Sequence, residues 1–287
     1  MKRKTFWKFT APSNFVMITL MIVPLGLAVW FGLNYITFTN ATAPDFVGSA
    51  NYQEVLSDPS FWEALRWTLI IILIVVPAHI LIAFIEALIL DQVTGRIRAF
   101  YLAAMLIPMI VVPVIGTIVF KQLFDPTGLI AWFLRVVLQE KFVFTEFSMK
   151  SLILIHTIWI TTPFALVIFF AGLQTLPKAL VDAASIDGAS RFQQIRHVVV
   201  PHLSSLFLLN AILGVMDMFR LFDNVFVLTR MNPIYHADTV LTYNYRIAMV
   251  VRRLGKGNAM AIITVVFIMA ALVPFLIYMY REQVEER

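Results

Sequence analysis

Long runs of residues without a formal charge alternate along the chain with short charged segments. Six runs reach or approach the length of a membrane-spanning helix, and they cover residues 9–44, 67–85, 99–120, 151–177, 197–216 and 257–280. The hydrocarbon core of a bilayer requires about 20 apolar residues per helix. The pattern therefore predicts an all-α membrane protein with six transmembrane helices.

The positions of Lys and Arg predict how these helices are oriented. Lys2, Arg3, Lys4 and Lys8 precede the first run, and no Lys or Arg follows it before Arg66. Because positive charge is retained on the cytoplasmic side of a membrane, the N-terminus is predicted to be cytoplasmic. Six spans then place the C-terminus in the cytoplasm as well. The remaining loops carry nearly balanced positive charge, so this orientation depends on the first helix.

Two segments on the predicted outer side have patterns of their own. Residues 51–62 combine turn residues at 58–60 with the aromatic residues Tyr52, Phe61 and Trp62, which is typical of an interfacial segment with an aromatic anchor. Residues 129–138 place Leu129 and Phe133 on one helical face, with Arg135 elsewhere. That spacing predicts a short amphipathic helix lying on the membrane.

Composition supports the membrane assignment and excludes several kinds of chemistry. The chain is 60% hydrophobic and 14% charged, whereas about a quarter of the residues of a soluble domain are charged. The absence of cysteine excludes disulfides, cysteine-ligated zinc and thiol catalysis. The basic residues that give the net charge of +5 lie in short patches between apolar runs, so no nucleic-acid partner is expected.

The segment between the fourth and fifth runs, residues 175–201, predicts two short helices joined by a tight turn. Pro177 suits the first helical position, and Gly188 suits a left-handed residue that ends the first helix. Ser190 and Gln193 have the spacing of a capping box that opens the second helix, and Pro201 would begin the fifth span. Small and apolar residues of this pair are either packed under the chain's own spans or docked into a groove of a partner.

Catalytic and metal-binding motifs are missing from the sequence. The chain contains no G-x-x-x-x-G-K-[ST], so ATP chemistry is not expected in it, and it contains no H-E-x-x-H or G-x-S-x-G. The five histidines lack metal-ligand spacing and are predicted to be packed or interfacial. We therefore expect no enzyme activity, no metal site and no cofactor in this chain.

A strip of polar residues lies along the fifth run. Asn210 precedes Asp217 by two helical turns on the same face, and Arg220 lies three residues from both Asp217 and Asp223. Ionisable residues at membrane depth are costly and point inward. The strip is therefore either the lining of a substrate cavity, with Asn210, Asp217 and Arg220 on the substrate path, or an internal salt bridge that tethers the end of the helix.

The residues of the 175–201 segment resemble a family signature. Asp182-Ala183-Ala184, followed by Asp187-Gly188-Ala189, Ile195 and Pro201, is similar to the EAA loop of binding-protein-dependent ABC import permeases, with Asp in place of the leading Glu. Residues 61–69, 98–108, 124–128 and 221–229 also resemble segments of that family. The resemblance covers about residues 61–280, and it is closest to the carbohydrate-importing branch that includes the maltose and glycerol-phosphate importers.

This resemblance implies a fold, a function and a set of partners. It implies the importer-type ABC permease fold, with an N-terminal helix and outer loop over 1–60 and a five-helix core over 61–287 that carries a coupling loop at 175–201. The chain would form the translocation path together with a second permease subunit in the bacterial inner membrane. An extracytoplasmic binding protein would deliver a carbohydrate or sugar derivative. Two ATPase subunits holding ATP and magnesium would contact Asp182, Ala183, Ala184, Asp187, Gly188 and Ala189.

A self-contained secondary transporter or channel for a small polar solute is the alternative. No inverted repeat is visible in the six runs, which is evidence against that alternative. Only the importer hypothesis requires the 175–201 segment to contact another protein.

The sequence departs from the family in the last outer loop. Arg230-Met231-Asn232-Pro233 stands where the family often has G-G-G-P, and the basic residues Arg246, Arg252, Arg253 and Lys256 follow. This basic cluster is interpreted as a docking face for an acidic binding protein, as a sign of an anionic sugar derivative, or as a face exposed to solvent or lipid headgroups.

Overall fold

The computed structural model is almost entirely helical. It describes residues 3–40, 42–125, 127–137, 139 and 143–285; Lys2, Pro126 and Arg287 lie outside the described residues. The helices are α1 Arg3–Gly32, α2 Ala50–Leu56, α3 Pro59–Gln92, α4 Gly95–Met105, α5 Ile107–Ile110, α6 Pro113–Phe124, α7 Leu129–Val137, α8 Glu146–Gln174, α9 Lys178–Ile186, α10 Arg191–Gln194, α11 Val200–His202, α12 Ser204–Phe219, α13 Asp223–Thr229, α14 Val240–Tyr245 and α15 Leu254–Glu285. The π-helical turns Ile195–Val199 and Arg246–Val250 and the 3₁₀ turn Pro233–Tyr235 complete the helical structure. Strands β1 Asn34–Tyr35 and β2 Asp45–Phe46 pair antiparallel, with Asn34 opposite Phe46.

Five segments of the described chain are long and apolar enough to cross a membrane. They are Phe9–Gly32, Pro59–Gln92, Pro113–Val137, Glu146–Gln174 and Leu254–Ile277. The bent pair Arg191–His202 and Ser204–Phe219, with an angle of 67°, makes a sixth if it is one span. The prediction of an all-α membrane protein is confirmed, and the predicted six helices correspond to these five segments and the bent pair.

The boundaries of three predicted spans were wrong. The first run ends as a helix at Gly32 and continues into the β1–β2 hairpin. The predicted span over 99–120 is divided among α4, α5 and α6, because Pro108 and Pro113 lack the N–H that would continue a helix. Pro201 does not begin the fifth span: it lies inside α11, and the bend follows at Leu203.

The amphipathic segment at 129–138 does form a helix. It is α7, Leu129–Val137, so the predicted helix is confirmed, and its location on the membrane surface stays a prediction. In the 51–62 segment, α2 ends at Leu56 and α3 begins at Pro59, so of the predicted turn residues only Asp58 lies between two helices, and Pro59 and Ser60 begin α3. The indole N–H of Trp62 donates to the carbonyl of Leu56 at 2.8 Å, which fixes this aromatic side chain over the junction.

By contacts, the chain forms two compact units, one of residues 1–62 with 243–269 and one of residues 63–242 with 270–287. In the first unit, a close approach of backbones fixes where α15 starts. A Cβ atom on Gly255 would lie 2.1 Å from the carbonyl oxygen of Asn34, so this position requires glycine. The side-chain amide of Asn51 donates to the carbonyls of Gly32 and Asn34, both at 2.9 Å. The predicted domain boundary at residue 60 stays a prediction.

A network of ion pairs holds α2 and the start of α3 to the start of α15. Arg253 donates to both oxygens of Glu54 at 2.6 and 2.8 Å, and Lys256 lies 2.8 Å from Asp58 and 3.1 Å from Glu54. The hydroxyl of Tyr243 donates to Asp58 at 2.7 Å. Lys256 is buried, so its charge depends on these carboxylates for compensation.

These contacts shift the pKa values of three groups of the network. The hydrogen bond from Arg253 lowers the pKa of Glu54, and Lys256 adds to the effect. Burial opposes ionisation of Asp58, but hydrogen bonds from Lys256 and Tyr243 outweigh it and lower the pKa of Asp58. Burial, followed by the hydrogen bond to Asp58, raises the pKa of Tyr243 to about 12.

The second unit is built around aromatic side chains. The rings of Phe84, Phe169 and Phe207 lie 4.6–5.7 Å apart, centroid to centroid. Leu166 and Leu203 are buried beside them. The cluster thereby joins α3, α8 and the bend between α11 and α12.

We expect Lys256→Met to destabilise the first unit, because Asp58 loses the cation that compensates its partly buried charge. Breaking such a pair costs roughly 3 kcal/mol, so the apparent Tm of the purified protein should fall by several degrees. Arg252→Met removes the same charge from an exposed neighbour that forms none of these ion pairs, and it should leave Tm unchanged. Equal Tm values for the two variants would contradict a structural role for Lys256.

The same network predicts a loss of stability in acid. Because Glu54 has a lower pKa in the folded state than its usual 4.5, its contribution is complete above about pH 4.5 and is lost as the pH falls below that value. Arg253→Gln removes the main cause of the shift, so Tm of this variant should decline less than that of the wild type between pH 5 and 3. Parallel curves of Tm against pH would show that the pair contributes nothing.

Candidate functional site: the helical pair at residues 175–201

The turn between α9 and α10 is set by the backbone. Gly188 has a φ of +79°, the left-handed conformation that a glycine adopts without cost. The N–H of Ala189 donates to the carbonyl of Ala184 at 2.9 Å, and the N–H of Gly188 donates to that of Ser185 at 3.1 Å. These two bonds form a Schellman motif, which ends α9 sharply and confirms the predicted role of Gly188.

The start of α10 is capped by side chains. The backbone N–H of Ser190 donates to Oε1 of Gln193 at 2.7 Å, and the N–H of Gln193 donates to Oγ of Ser190 at 3.4 Å. The predicted capping box is confirmed.

Pro177 lies one residue before the position predicted for it, since it is the N-cap of α9 and the first helical residue is Lys178.

Gln194 holds the two helices together, a role that does not follow from the sequence. Its Nε2 donates to Oγ of Ser185 and to the carbonyl of Ala189, both at 3.0 Å, and the residue is buried. Nothing in the linear pattern separates Gln194 from Gln193 beside it. Only the three-dimensional turn, which brings Ser185 to this side chain, reveals its role.

The six residues predicted to contact an ATPase lie together on α9 and its turn. Asp182, Ala183, Asp187 and Gly188 are exposed, and Ala184 and Ala189 are half-buried. The surface beside them is apolar, since Ile186 is 86% exposed and Phe192 is 69% exposed. A shallow cleft of about 280 Å³ lies between Asp187, Gln193 and His197. This arrangement presents backbone, carboxylates and apolar side chains on one continuous face.

The chain that follows this face is packed into the aromatic core. Val199 and Leu203 are buried against Phe169, and Oγ1 of Thr175 lies 3.0 Å from Nε2 of His202. By contrast, no residue of α9 is buried. The sequence left open whether the segment is packed or available for docking; in the structure Val199 and Leu203 are packed into the aromatic core, and α9 is exposed.

The residues predicted for the substrate path lie along α12, where the backbone N–H of Arg220 donates to the carbonyl of Asp217 at 3.1 Å. Asn210 is buried, and its Nδ2 donates to the carbonyl of Leu206 in its own helix at 2.9 Å. Asp217 and Arg220 are exposed at the end of the same helix, where Arg220 is the C-cap residue. Among the described residues, no salt bridge joins Arg220 to Asp217 or Asp223. The salt-bridge alternative is therefore wrong for this conformation.

The basic residues of the last loop do not form one free surface. Arg253 and Lys256 belong to the ion-pair network, and Arg246 lies over the ring of Tyr243. Arg252 is exposed and has a left-handed φ of +64°. The interpretation of all four as a docking or solvated face was wrong for Arg253 and Lys256, because the carboxylates that neutralise them come from the distant 54–58 segment.

The described residues contain no group of three His, Cys, Asp or Glu side chains that could hold a metal ion. The His156 side chain is buried against Phe120 and Trp159. Glu86 lines a cleft of about 340 Å³ together with Thr162.

The family model, the related sequences and the solved structures that are similar to this chain all belong to transport systems. Residues 80–284 match the model of the family described as binding-protein-dependent transport system inner membrane component. The trehalose/maltose transport system permease protein MalF of Thermococcus litoralis is 30% identical over 92% of this chain and 90% of its own length. A probable ABC transporter permease protein of Sinorhizobium fredii, y4oQ, is 29% identical over 95% of this chain and 89% of its own. A chain of a bacterial ABC transporter involved in the import of the acidic polysaccharide alginate has a similar fold, with a TM-score of 0.79, 17% identity and coverage of 97% and 96%.

If Gln194 holds the turn together, Gln194→Leu should loosen it without unfolding the aromatic core. The variant loses two hydrogen bonds, and each is worth roughly 1 kcal/mol. Hydrogen exchange at the amides of Gly188 and Ala189 should therefore become several-fold faster than in the wild type.

Gln92→Leu is the matched control, since the amide of Gln92 bonds within its own helix. It should not change exchange at the turn. Unchanged protection in Gln194→Leu would show that the Schellman motif alone fixes the turn.

Proposed function

Since the chain belongs to the family of binding-protein-dependent transport system inner membrane components, we propose that it is one of two permease subunits of an ATP-binding-cassette importer for a carbohydrate or sugar derivative. It spans the membrane several times and carries the helical pair that couples it to its energy source. A second permease completes the translocation path, in a bacterial inner membrane. A binding protein on the outer side delivers the substrate.

Carbohydrate is the proposed substrate class for two reasons. The relative from Thermococcus litoralis, which matches this chain over nearly its full length, is a trehalose/maltose permease. The exposed side chains of Asp217 and Arg220 provide an acceptor and donors at the end of α12, which suits a ligand rich in hydroxyl groups, whereas the buried Asn210 donates to its own helix.

ATP is hydrolysed on separate subunits in this proposal, because the chain has no phosphate-binding loop of its own. ATP and magnesium bind there. The surface that meets these subunits is α9 with its turn, from Asp182 to Ala189. Exposed Ile186 and Phe192 supply apolar area for the contact, and Asp182 and Asp187 supply charge that can pair with basic residues of the partner.

The observation that carries the proposal is the contrast between α9 and the chain after it. No residue of α9 is buried, while Val199 and Leu203 lie in the aromatic core with α3 and α8. A partner that moves α9 therefore displaces a segment packed against two long helices. Because the Schellman motif, the capping box and Gln194 make the turn rigid, the displacement is transmitted as a rigid-body movement.

The displacement of α9 changes which side of the membrane the translocation path opens to, provided that the permease pair has two stable arrangements. ATP binding draws two ATPase subunits together, and each carries the α9 helix docked on it. The two permeases then rotate between inward-open and outward-open arrangements, each stabilised by different contacts. The substrate released by the binding protein is enclosed during this change.

Substitutions at Gly188 test the coupling role. A Cβ atom at this position meets no other atom within 4 Å, so the cost of a side chain there is backbone strain alone. A β-branched residue is strongly disfavoured at a φ of +79°, whereas Asn tolerates this conformation. We expect Gly188→Val to abolish ATP-driven uptake while the complex still inserts and binds substrate.

Gly188→Asn is the matched control and should retain most of the uptake rate. The measurement is substrate-stimulated ATPase activity together with uptake in proteoliposomes that contain all subunits. Normal coupling in Gly188→Val would contradict the proposal. Failure of both variants to insert would also contradict it, because the glycine would then be structural. Uptake by this chain alone, without ATP, would establish the secondary-transporter alternative.

A further inference from the structure

A cleft at the C-terminal ends of α6 and α13 carries two positive charges. Its volume is about 470 Å³, and Lys121, Gln122, Asp125, Phe226 and Arg230 are among its lining residues. Neither cation belongs to the helical pair at 175–201 or to the polar residues of α12. No role for Lys121 follows from the sequence alone.

The backbone of α13 fixes the position of Lys121. The Nζ atom donates to the carbonyls of Val227 and Leu228 at 3.1 and 2.7 Å, which lack partners in the last turn of the helix. An ammonium group has three protons, so one remains for a ligand in the cleft. The charge itself is not neutralised by these carbonyls.

Arg230 is held at the cleft in an unfavourable backbone conformation. Its φ is +52°, and that of Met231 is +54°. At a left-handed position the Cβ of a non-glycine residue comes too close to the backbone, a steric cost that glycine would avoid. In the part of the chain that the structure describes, the guanidinium of this exposed residue forms no hydrogen bond or salt bridge. Strain at a residue with an unused charged group points to a ligand.

The one carboxylate of the cleft is partly engaged. Oδ1 of Asp125 accepts the backbone N–H of Thr127 at 3.2 Å and its hydroxyl at 2.9 Å. Two cations against one carboxylate leave an excess of one positive charge among the lining residues. Phe226 adds an aromatic wall, and its ring stacks on that of Phe222 at 5.1 Å.

We propose that this cleft binds a carboxylate or phosphate group, held by the planar fork of Arg230 and the ammonium of Lys121. The amide of Gln122 adds a neutral donor. Two sources share this chemistry: an acidic sugar residue of the transported substrate, and the phosphate headgroup of an anionic lipid. The substrate source deepens the proposed function and rests on it, whereas the lipid source does not.

Arg230→Gly is the test variant, because it removes the charge and also relieves the backbone strain. It should not lower Tm. Arg252→Gly is the matched control: Arg252 is also exposed and left-handed, with a φ of +64°, but it lies outside the cleft. The two variants change the net charge and the backbone equally, so only binding in the cleft distinguishes them.

Binding is measured on the full-length protein with two anionic probes and their neutral counterparts. Trigalacturonate is compared with maltotriose by calorimetry in a neutral detergent, and phosphatidylglycerol is compared with phosphatidylcholine by native mass spectrometry. We expect at least one anionic probe to bind the wild type more tightly than its neutral counterpart. We expect Arg230→Gly to weaken that binding about tenfold and Arg252→Gly to leave it unchanged.

The outcomes separate the two sources. Loss of trigalacturonate binding assigns the cleft to an acidic sugar, and loss of phosphatidylglycerol binding assigns it to lipid. The proposal is overturned if neither anionic probe is preferred, if Arg230→Gly binds like the wild type, or if both variants weaken binding equally. Because the measurement is binding without ATP, it can fail while coupled uptake succeeds, and the proposed function is then unaffected.

Discussion

A peptide group inside a bilayer must find its hydrogen-bond partner within the protein, since the hydrocarbon core provides no water. That requirement makes the long spans helical and gives each interruption a structural consequence. Where Pro108 and Pro113 remove donors, one apolar stretch becomes three helices. Where α13 ends, the amine of Lys121 supplies the donor that its last carbonyls lack. At such helix ends, side chains such as that of Lys121 satisfy the unpaired backbone groups.

The helical pair at 175–201 combines a rigid turn with a buried anchor. The left-handed Gly188, the Ser190–Gln193 capping box and the bonds of Gln194 restrict the turn from three sides. The segment ending at Leu203 is held by Phe84, Phe169 and Phe207. A rigid exposed element joined to a packed one can pass a displacement on, whereas a flexible loop would absorb it.

Positive charge serves different purposes along this chain. Arg253 and Lys256 neutralise Glu54 and Asp58 and so secure the start of α15. Lys121 caps a helix while keeping its charge, and Arg230 has a guanidinium without a hydrogen bond among the described residues. Net charge alone cannot separate these roles, because pairing depends on which segments meet in space.

The sequence by itself determined the membrane class, the helical pair at 175–201, its glycine turn and capping box, and the family resemblance, since these depend on composition and on residues a few positions apart. Only the tertiary structure decided which of those residues are exposed, because burial of Val199 and exposure of α9 depend on how distant helices pack. It also decided that Gln194 bridges the turn and that Arg253 and Lys256 of the last loop form ion pairs. The partners of Arg253 and Lys256 are about 200 positions away in the sequence, and no local pattern records such a contact.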